Sequence, residues 1–173
     1  VNMCPVPILI LFFYLVSGPC SSQVLKANDT VVDTFVTIPT FQGKMDYLHG
    51  LLQDAGPDQD LLADKLHRYR DSWIAQERWE EALSLTNVLG NYFIYVSINH
   101  KKAYEILEGY TPFILHNTDR EQISFFYMTH AEAATFMQRY KESLSILDQG
   151  IAFMEKHRDS SLYEFGYAYL KAG

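Results

Sequence analysis

Cysteine is nearly absent from this 173-residue chain: Cys4 and Cys20 are the only two, and both lie in or beside an N-terminal apolar segment. With at most one thiol left once that segment is removed, a disulfide-stapled secreted scaffold is excluded. Basic residues are also scarce, 14 Lys and Arg against 21 Asp and Glu, for a formal charge of -7. Phosphate binding needs clustered Lys and Arg to displace counterions, so no nucleic-acid partner is expected for this segment. No apolar run reaches the ~20 residues that cross a bilayer as a helix. Signatures of catalysis are missing as well: there is no glycine-rich phosphate loop, no G-x-S-x-G and no H-E-x-x-H. The histidines, His49, His67, His100, His116, His130 and His157, show no paired ligand spacing. No metal, no cofactor and no enzymatic activity is therefore expected, and His130, at a packing position, reads as a buried, satisfied side chain.

What is present begins with Ile8 to Val16 (ILILFFYLV), an unbroken apolar run closed by Ser17, Gly18 and Pro19. It is the length of a signal-peptide core, and Cys20-Ser21-Ser22 supplies small residues for cleavage before Gln23. Residues 1–22 are read as a signal peptide and the chain as exported, periplasmic or membrane-associated. Cys20 leaves a lipoprotein reading open, although Pro19 stands where a lipobox has Gly or Ala. Membrane contact is expected only through such a lipid or through a membrane helix beyond Gly173. Residues 23–43, rich in Val, Thr and Phe and interrupted by Pro39, read as an extended arm or edge strand.

From Lys44 onward the apolar spacing is helical. It predicts seven helices, at about 45–54, 59–76, 78–97, 100–110, 121–138, 141–157 and 160–172, and an all-α fold. Ala55-Gly56-Pro57-Asp58 reads as a stop followed by Asp58 as the next N-cap. Thr111-Pro112 breaks the fourth helix, because an interior proline removes a backbone donor and clashes with the preceding turn.

The helices repeat. From Ile123 to His157, Tyr127 fills a first large position, Ala131 and Ala134 fill close-approach positions, Tyr140 marks the turn, and Ser143, Leu147 and Gly150 face back. The pattern returns with Leu162, Gly166 and Tyr169, and an earlier copy is legible in Leu89-Gly90-Asn91-Tyr92-Phe93 followed by Lys101-Lys102-Ala103-Tyr104. This arrangement resembles the tetratricopeptide repeat family over about residues 59–173. One conflict sits inside it. Gln76-Glu77-Arg78-Trp79-Glu80-Glu81-Ala82-Leu83 itself looks like the turn and second-helix start of a copy, whereas counting back from Gly166 makes 78–97 a first helix. The count is preferred, since two later copies fix the parity.

The resemblance implies an antiparallel helix-hairpin solenoid with a right-handed superhelix over residues 44–173, its last repeat incomplete. It also implies a concave groove for a protein or peptide ligand, lined by the first helices: Asn87, Asn91 and Tyr95, then Met128, Glu132 and Phe136, then Tyr163, Tyr167 and Lys171. A carboxylate clamp is not implied, because Asn87 stands where a Lys is required. A leader followed by such repeats resembles the exported sensory region of Bacteroidetes signalling proteins that carry a histidine kinase or helix-turn-helix regulator. A free-standing or lipid-anchored envelope scaffold, without signalling output, is the alternative.

Overall fold

The computed structural model describes residues 28–157. Its secondary structure is seven α-helices and two short 3-10 stretches, with no strand among the described residues. The helices are α1 (Asn28–Thr37), α2 (Phe41–Asp54), α3 (Gln59–Ala75), α4 (Trp79–Tyr95), α5 (His100–Tyr110), α6 (Arg120–Phe136) and α7 (Tyr140–His157). Six coincide with the helices expected from spacing. The seventh expected helix, at 160–172, and the signal peptide lie outside the described residues.

The extended arm is corrected: α1 occupies much of it, and α2 starts at Phe41. Val31, Val32 and Phe35 are buried together on one side of α1, and Phe35 stacks on Trp73 of α3 with centroids 6.2 Å apart. Packing of this kind overrides the β preference of a Val- and Thr-rich segment. The hydroxyls of Thr34 and Thr37 donate to the carbonyls of Thr30 and Thr34 at 2.7 Å, so they stay satisfied inside the helix. Pro39 then biases Ile38 away from helix, and Thr40 caps α2 by accepting from the Gly43 N–H at 3.2 Å. A second correction concerns Asp58: it ends a 3-10 turn, Gly56–Asp58, and its side chain makes no cap to α3.

Neighbour relations define two rows. Helices α2, α4 and α6 touch in succession, while α3, α5 and α7 flank them, each against the adjoining members of that central row. Long polar reaches join α3 and α5: Arg70 donates to the Ile106 carbonyl at 3.0 Å and Lys102 pairs with Asp64. Helix 79–95 therefore lies in the central row, as counting back from Gly166 requires. The arrangement is compatible with a helical repeat.

Close approach between rows needs small residues. A Cβ added at Gly150 of α7 would lie 2.8 Å from the Tyr127 Cβ of α6, and one at Gly90 of α4 would lie 3.0 Å from Leu107 of α5. Ser143 makes a related contact, donating to the Ala131 carbonyl at 2.8 Å.

The turn between α4 and α5 holds the one β-branched residue with positive φ among the described residues, Ile98 at φ 53°. That conformation crowds Cβ against the carbonyl by about 1–2 kcal/mol, and Ile98 is 69% exposed, so no burial compensates. Ile98→Asn is expected to raise the unfolding free energy by about 0.5–1 kcal/mol, since Asn tolerates this region. A urea midpoint at or below that of the parent would overturn this reading of the turn.

Candidate functional site

Helix α4 is enclosed, with every residue from Ala82 to Gly90 buried. Its polar side chains must therefore look to protein for partners: Thr86 donates to the Ala82 carbonyl of its own helix at 2.7 Å, and the others turn to one seam. Glu80, Ser84 and Asn87 recur at helical spacing and meet the start of α6. Glu80 Oε1 accepts from the Thr118 N–H at 2.6 Å and the Thr118 hydroxyl at 2.9 Å. Ser84 donates to Gln122 Oε1, and Asn87 Nδ2 donates to the Gln122 carbonyl at 2.9 Å. Gln122 in turn donates to Asp119, which caps α6 by accepting from the Gln122 N–H at 3.1 Å.

Tyr110 closes the lower end of the seam. Its hydroxyl donates to the Trp79 carbonyl at 2.8 Å and accepts from Asn117 Nδ2 at 3.1 Å. Burial pushes this phenol up to about 12. Two buried oxygens, Glu80 Oε2 and Asn87 Oδ1, have no partner.

The nine residues expected in a groove separate on this frame. Asn87 is corrected: it is fully buried and hydrogen-bonded within the α4–α6 seam, because α2 lies against α4 where a solvent-filled concavity was expected. Asn91, Met128 and Glu132 are half-buried. Tyr95 is 53% exposed and Phe136 is 48% exposed. Phe136 also lies flat against His100 of α5, ring centroids 4.5 Å apart, so its ring serves the α5–α6 contact. Tyr163, Tyr167 and Lys171 lie outside the described residues.

Sequence spacing gave no sign of what covers the other end of this stripe. Phe125 stands one turn before Met128 on the same face of α6, and Phe41, at the start of α2, meets it edge-on at 5.0 Å. The open part of the stripe is thus its C-terminal portion, Asn91 and Tyr95 on α4 with Met128 and Glu132 on α6.

A different surface was also missed. A shallow depression of about 480 Å³ is lined, among the described residues, by Lys65, Arg68, Tyr69 and Ser72 of α3. Lys65, Arg68, Tyr69 and Ser72 are successive at steps of three, one and three residues on the flanking row, and nothing in the sequence pattern singles them out. Among the described residues no group of three or more His, Cys, Asp or Glu side chains converges in a way that holds a metal ion, and no helix is long and apolar enough to cross a membrane.

His130 is buried as expected, at 2% exposure, but it is not satisfied: its Nε2 has no hydrogen bond. Glu108 Oε2 stands 3.3 Å away, yet that carboxylate is 57% exposed and solvated, so burial dominates and pushes the imidazole down to about 4. Tyr104 and Phe126 pack on its ring at 5.1 and 5.7 Å. Burial also lowers His49 and His67.

Comparison of the chain with known protein families, with curated proteins and with solved structures gives no match. Geometry and spacing therefore carry the functional argument.

The histidines make a pH signature. Between about 6.5 and about 4 the unfolded chain takes up a proton that native His130 refuses. Stability present above pH 6.5 is accordingly lost as pH falls through this window, by up to about 3 kcal/mol for this one group. His130→Phe is expected to flatten the fall of unfolding free energy measured in urea between pH 7 and pH 4.5. Equal slopes in parent and variant would sink this assignment.

Proposed function

We propose that the chain is a tetratricopeptide-like binding module that takes a protein or peptide ligand along Asn91, Tyr95, Met128 and Glu132. We further propose that it serves as the exported, periplasmic sensory part of a bacterial signal-transduction protein. The observation that supports the first statement most is the composition of the open stripe. It pairs an exposed aromatic ring and a thioether with an amide and a carboxylate, and it is backed by a seam in which Ser84 and the Asn87 amide N–H are hydrogen-bonded to Gln122. Such backing lowers the ordering cost of binding. An aromatic-aliphatic surface with one acidic group suits a peptide carrying an apolar anchor and a basic side chain. The sensory role is supported by the apolar run Ile8–Val16 followed by helical repeats, and by the family resemblance of those repeats.

The binding reading is tested with a peptide selected from a displayed library against the chain starting at Gln23. Its affinity is expected to fall at least about tenfold, or roughly 1.4 kcal/mol, for Tyr95→Ala and for Met128→Ala. Glu132→Gln is expected to weaken basic peptides selectively. Leu115→Ala, exposed on the 3-10 stretch Thr111–His116 and outside the stripe, should leave binding unchanged. Unaltered affinity in all three stripe variants, at unchanged melting temperature, would remove this face from the proposal.

Export is tested separately. Alkaline phosphatase joined after residue 43 is expected to be active in the periplasm of a bacterial host and inactive when residues 1–22 are deleted. Activity confined to neither form would overturn the exported reading.

A further inference from the structure

Exposed apolar side chains are not spread evenly over this protein. Among the described residues, all the large ones except Leu115 gather at one edge: Leu61, Tyr95, Ile98, Phe136, Tyr140 and Leu144. Contacts between helix ends define that edge. His100, at the start of α5, stacks on Phe136, at the end of α6, and Arg139 of the α6–α7 turn lies 4.8 Å from the Tyr104 ring of α5. The α4–α5 and α6–α7 turns are therefore neighbours, and the start of α3 joins them through the pairing of Asp64 with Lys102. Leu115 belongs to the opposite edge. There the start of α4 meets the end of α5 and the start of α6, through Tyr110 on the Trp79 carbonyl and Glu80 on the Thr118 N–H.

Charge divides along the same line. Residues 95–102 and 136–141 carry Lys101, Lys102, Arg139 and Lys141 and no Asp or Glu. In the α3–α4 turn of the opposite edge, residues 76–81, Glu77, Glu80 and Glu81 stand with a single cation, Arg78. Lys102 and Arg139 are turned onto Asp64 and Glu142. Lys101 reaches Glu105 only at 3.7 Å and stays 76% exposed, and Lys141 is exposed. At the α2–α3 end of the edge Asp54, Asp58 and Asp60 reverse the sign, so the basic part is confined to the other two turns.

Ile98 stands between α4 and α5 in this basic part. Its positive φ and its exposure are both unfavourable in the isolated chain, and strain of this kind clusters at functional sites. The flanking tyrosines, Tyr95 and Tyr140, have an apolar body and a polar tip, the amphipathic form that sits at headgroup level. A protein partner needs a fitted pocket for each protruding side chain. A bilayer accepts them without shape complementarity, and an anionic one also draws unbalanced lysines.

We infer that the edge made by the α4–α5 and α6–α7 turns seats on an anionic lipid bilayer. Ile98 enters the acyl boundary, Tyr95 and Tyr140 lie among the headgroups, and Lys101 and Lys141 meet lipid phosphates. This contact is peripheral and separate from the lipid on Cys20 or the downstream membrane helix expected from the sequence. It also stands apart from the peptide stripe, which shares Tyr95 with this edge but not Ile98, Lys101 or Lys141.

Vesicle co-sedimentation tests this with the chain starting at Gln23, so that the apolar run Ile8–Val16 contributes nothing. Partition onto vesicles of phosphatidylglycerol mixed with phosphatidylcholine is expected to exceed that onto phosphatidylcholine alone by at least about tenfold at low salt. Ile98→Asn, expected to stabilise the fold, should lower partition at least about fivefold. Lys101→Gln combined with Lys141→Gln should lower it about tenfold on the anionic vesicles. Leu115→Asn, on the opposite edge, should leave it unchanged. No partition, equal partition onto both vesicles, or equal losses in Ile98→Asn and Leu115→Asn would overturn the inference. A chain that ignores vesicles but sediments as a dimer, dispersed by Ile98→Asn, would give this edge to a second copy and overturn it as well. Peptide affinity retained in Ile98→Asn while vesicle binding is lost is the expected separation of the two surfaces.

Discussion

Helix α4 meets α2, α3, α5 and α6, and that enclosure is the constraint from which the rest of the arrangement follows. A helix buried nearly all round has to satisfy every polar side chain within the protein, because a buried donor or acceptor left without a partner costs about 1–3 kcal/mol. Ser84 and the Asn87 amide N–H do this through one partner, Gln122, while Asn87 Oδ1 is left without one. Gln122 is itself held by the cap of its own helix. The axial register between the two central helices is therefore fixed by directional bonds, while Leu85, Val88 and Leu89 supply the non-directional burial around them. A slide of α6 by one turn would leave the burial largely intact and break the polar set. Register in this fold is accordingly a hydrogen-bond property more than a hydrophobic one.

The same constraint explains what the sequence did and did not disclose. Helices α2 to α7 were legible because each carries a helical apolar pattern and ends at a recognisable break, such as Thr111-Pro112, where the chain turns into the 3-10 stretch Thr111–His116. Helix α1 was not legible. Its Val and Thr residues signal extended chain locally, and tertiary contacts, among them Phe35 on Trp73 far along the sequence, make the helical arrangement of Val31, Val32 and Phe35 favourable. The site divided in the same way. The family resemblance named Asn87, Asn91 and Tyr95 together for a groove, yet Asn87 is buried while Tyr95 is exposed. Whether the face meets water or protein was decided by α2 and by Phe41 reaching Phe125, contacts between segments with no sequence signal for each other.

The conflict over residues 76–83 has a physical resolution. The turns at Glu77 and Gln138 are built alike. Each places a non-glycine residue at positive φ, 59° and 61°. The next residue, an arginine, then donates its N–H back to the Trp73 or Ala134 carbonyl at 2.9 Å. In both turns that arginine pairs with a glutamate three residues on, Arg78 with Glu81 and Arg139 with Glu142. The backbone bonds are those of a Schellman closure. Such a turn specifies how one helix ends and the next begins, and it is silent about which row either helix joins.

Row membership is settled by surfaces that a turn does not include. Helix α4 presents apolar or hydrogen-bonding groups in every direction and so takes a central place, whereas α7, which follows the same kind of turn, keeps an exposed side with Lys141, Glu142 and Ser145 and flanks. A motif read from turn residues alone is thus ambiguous by one helix as to row. The places where the rows touch, such as Gly150 against Tyr127 and Ser143 against Ala131, lie within the helices and outside the turns. The residues at which the rows meet are for this reason the small ones, Ala131, Ala134 and Gly150, and exposure begins one or two places along, where contact between rows gives way to solvent.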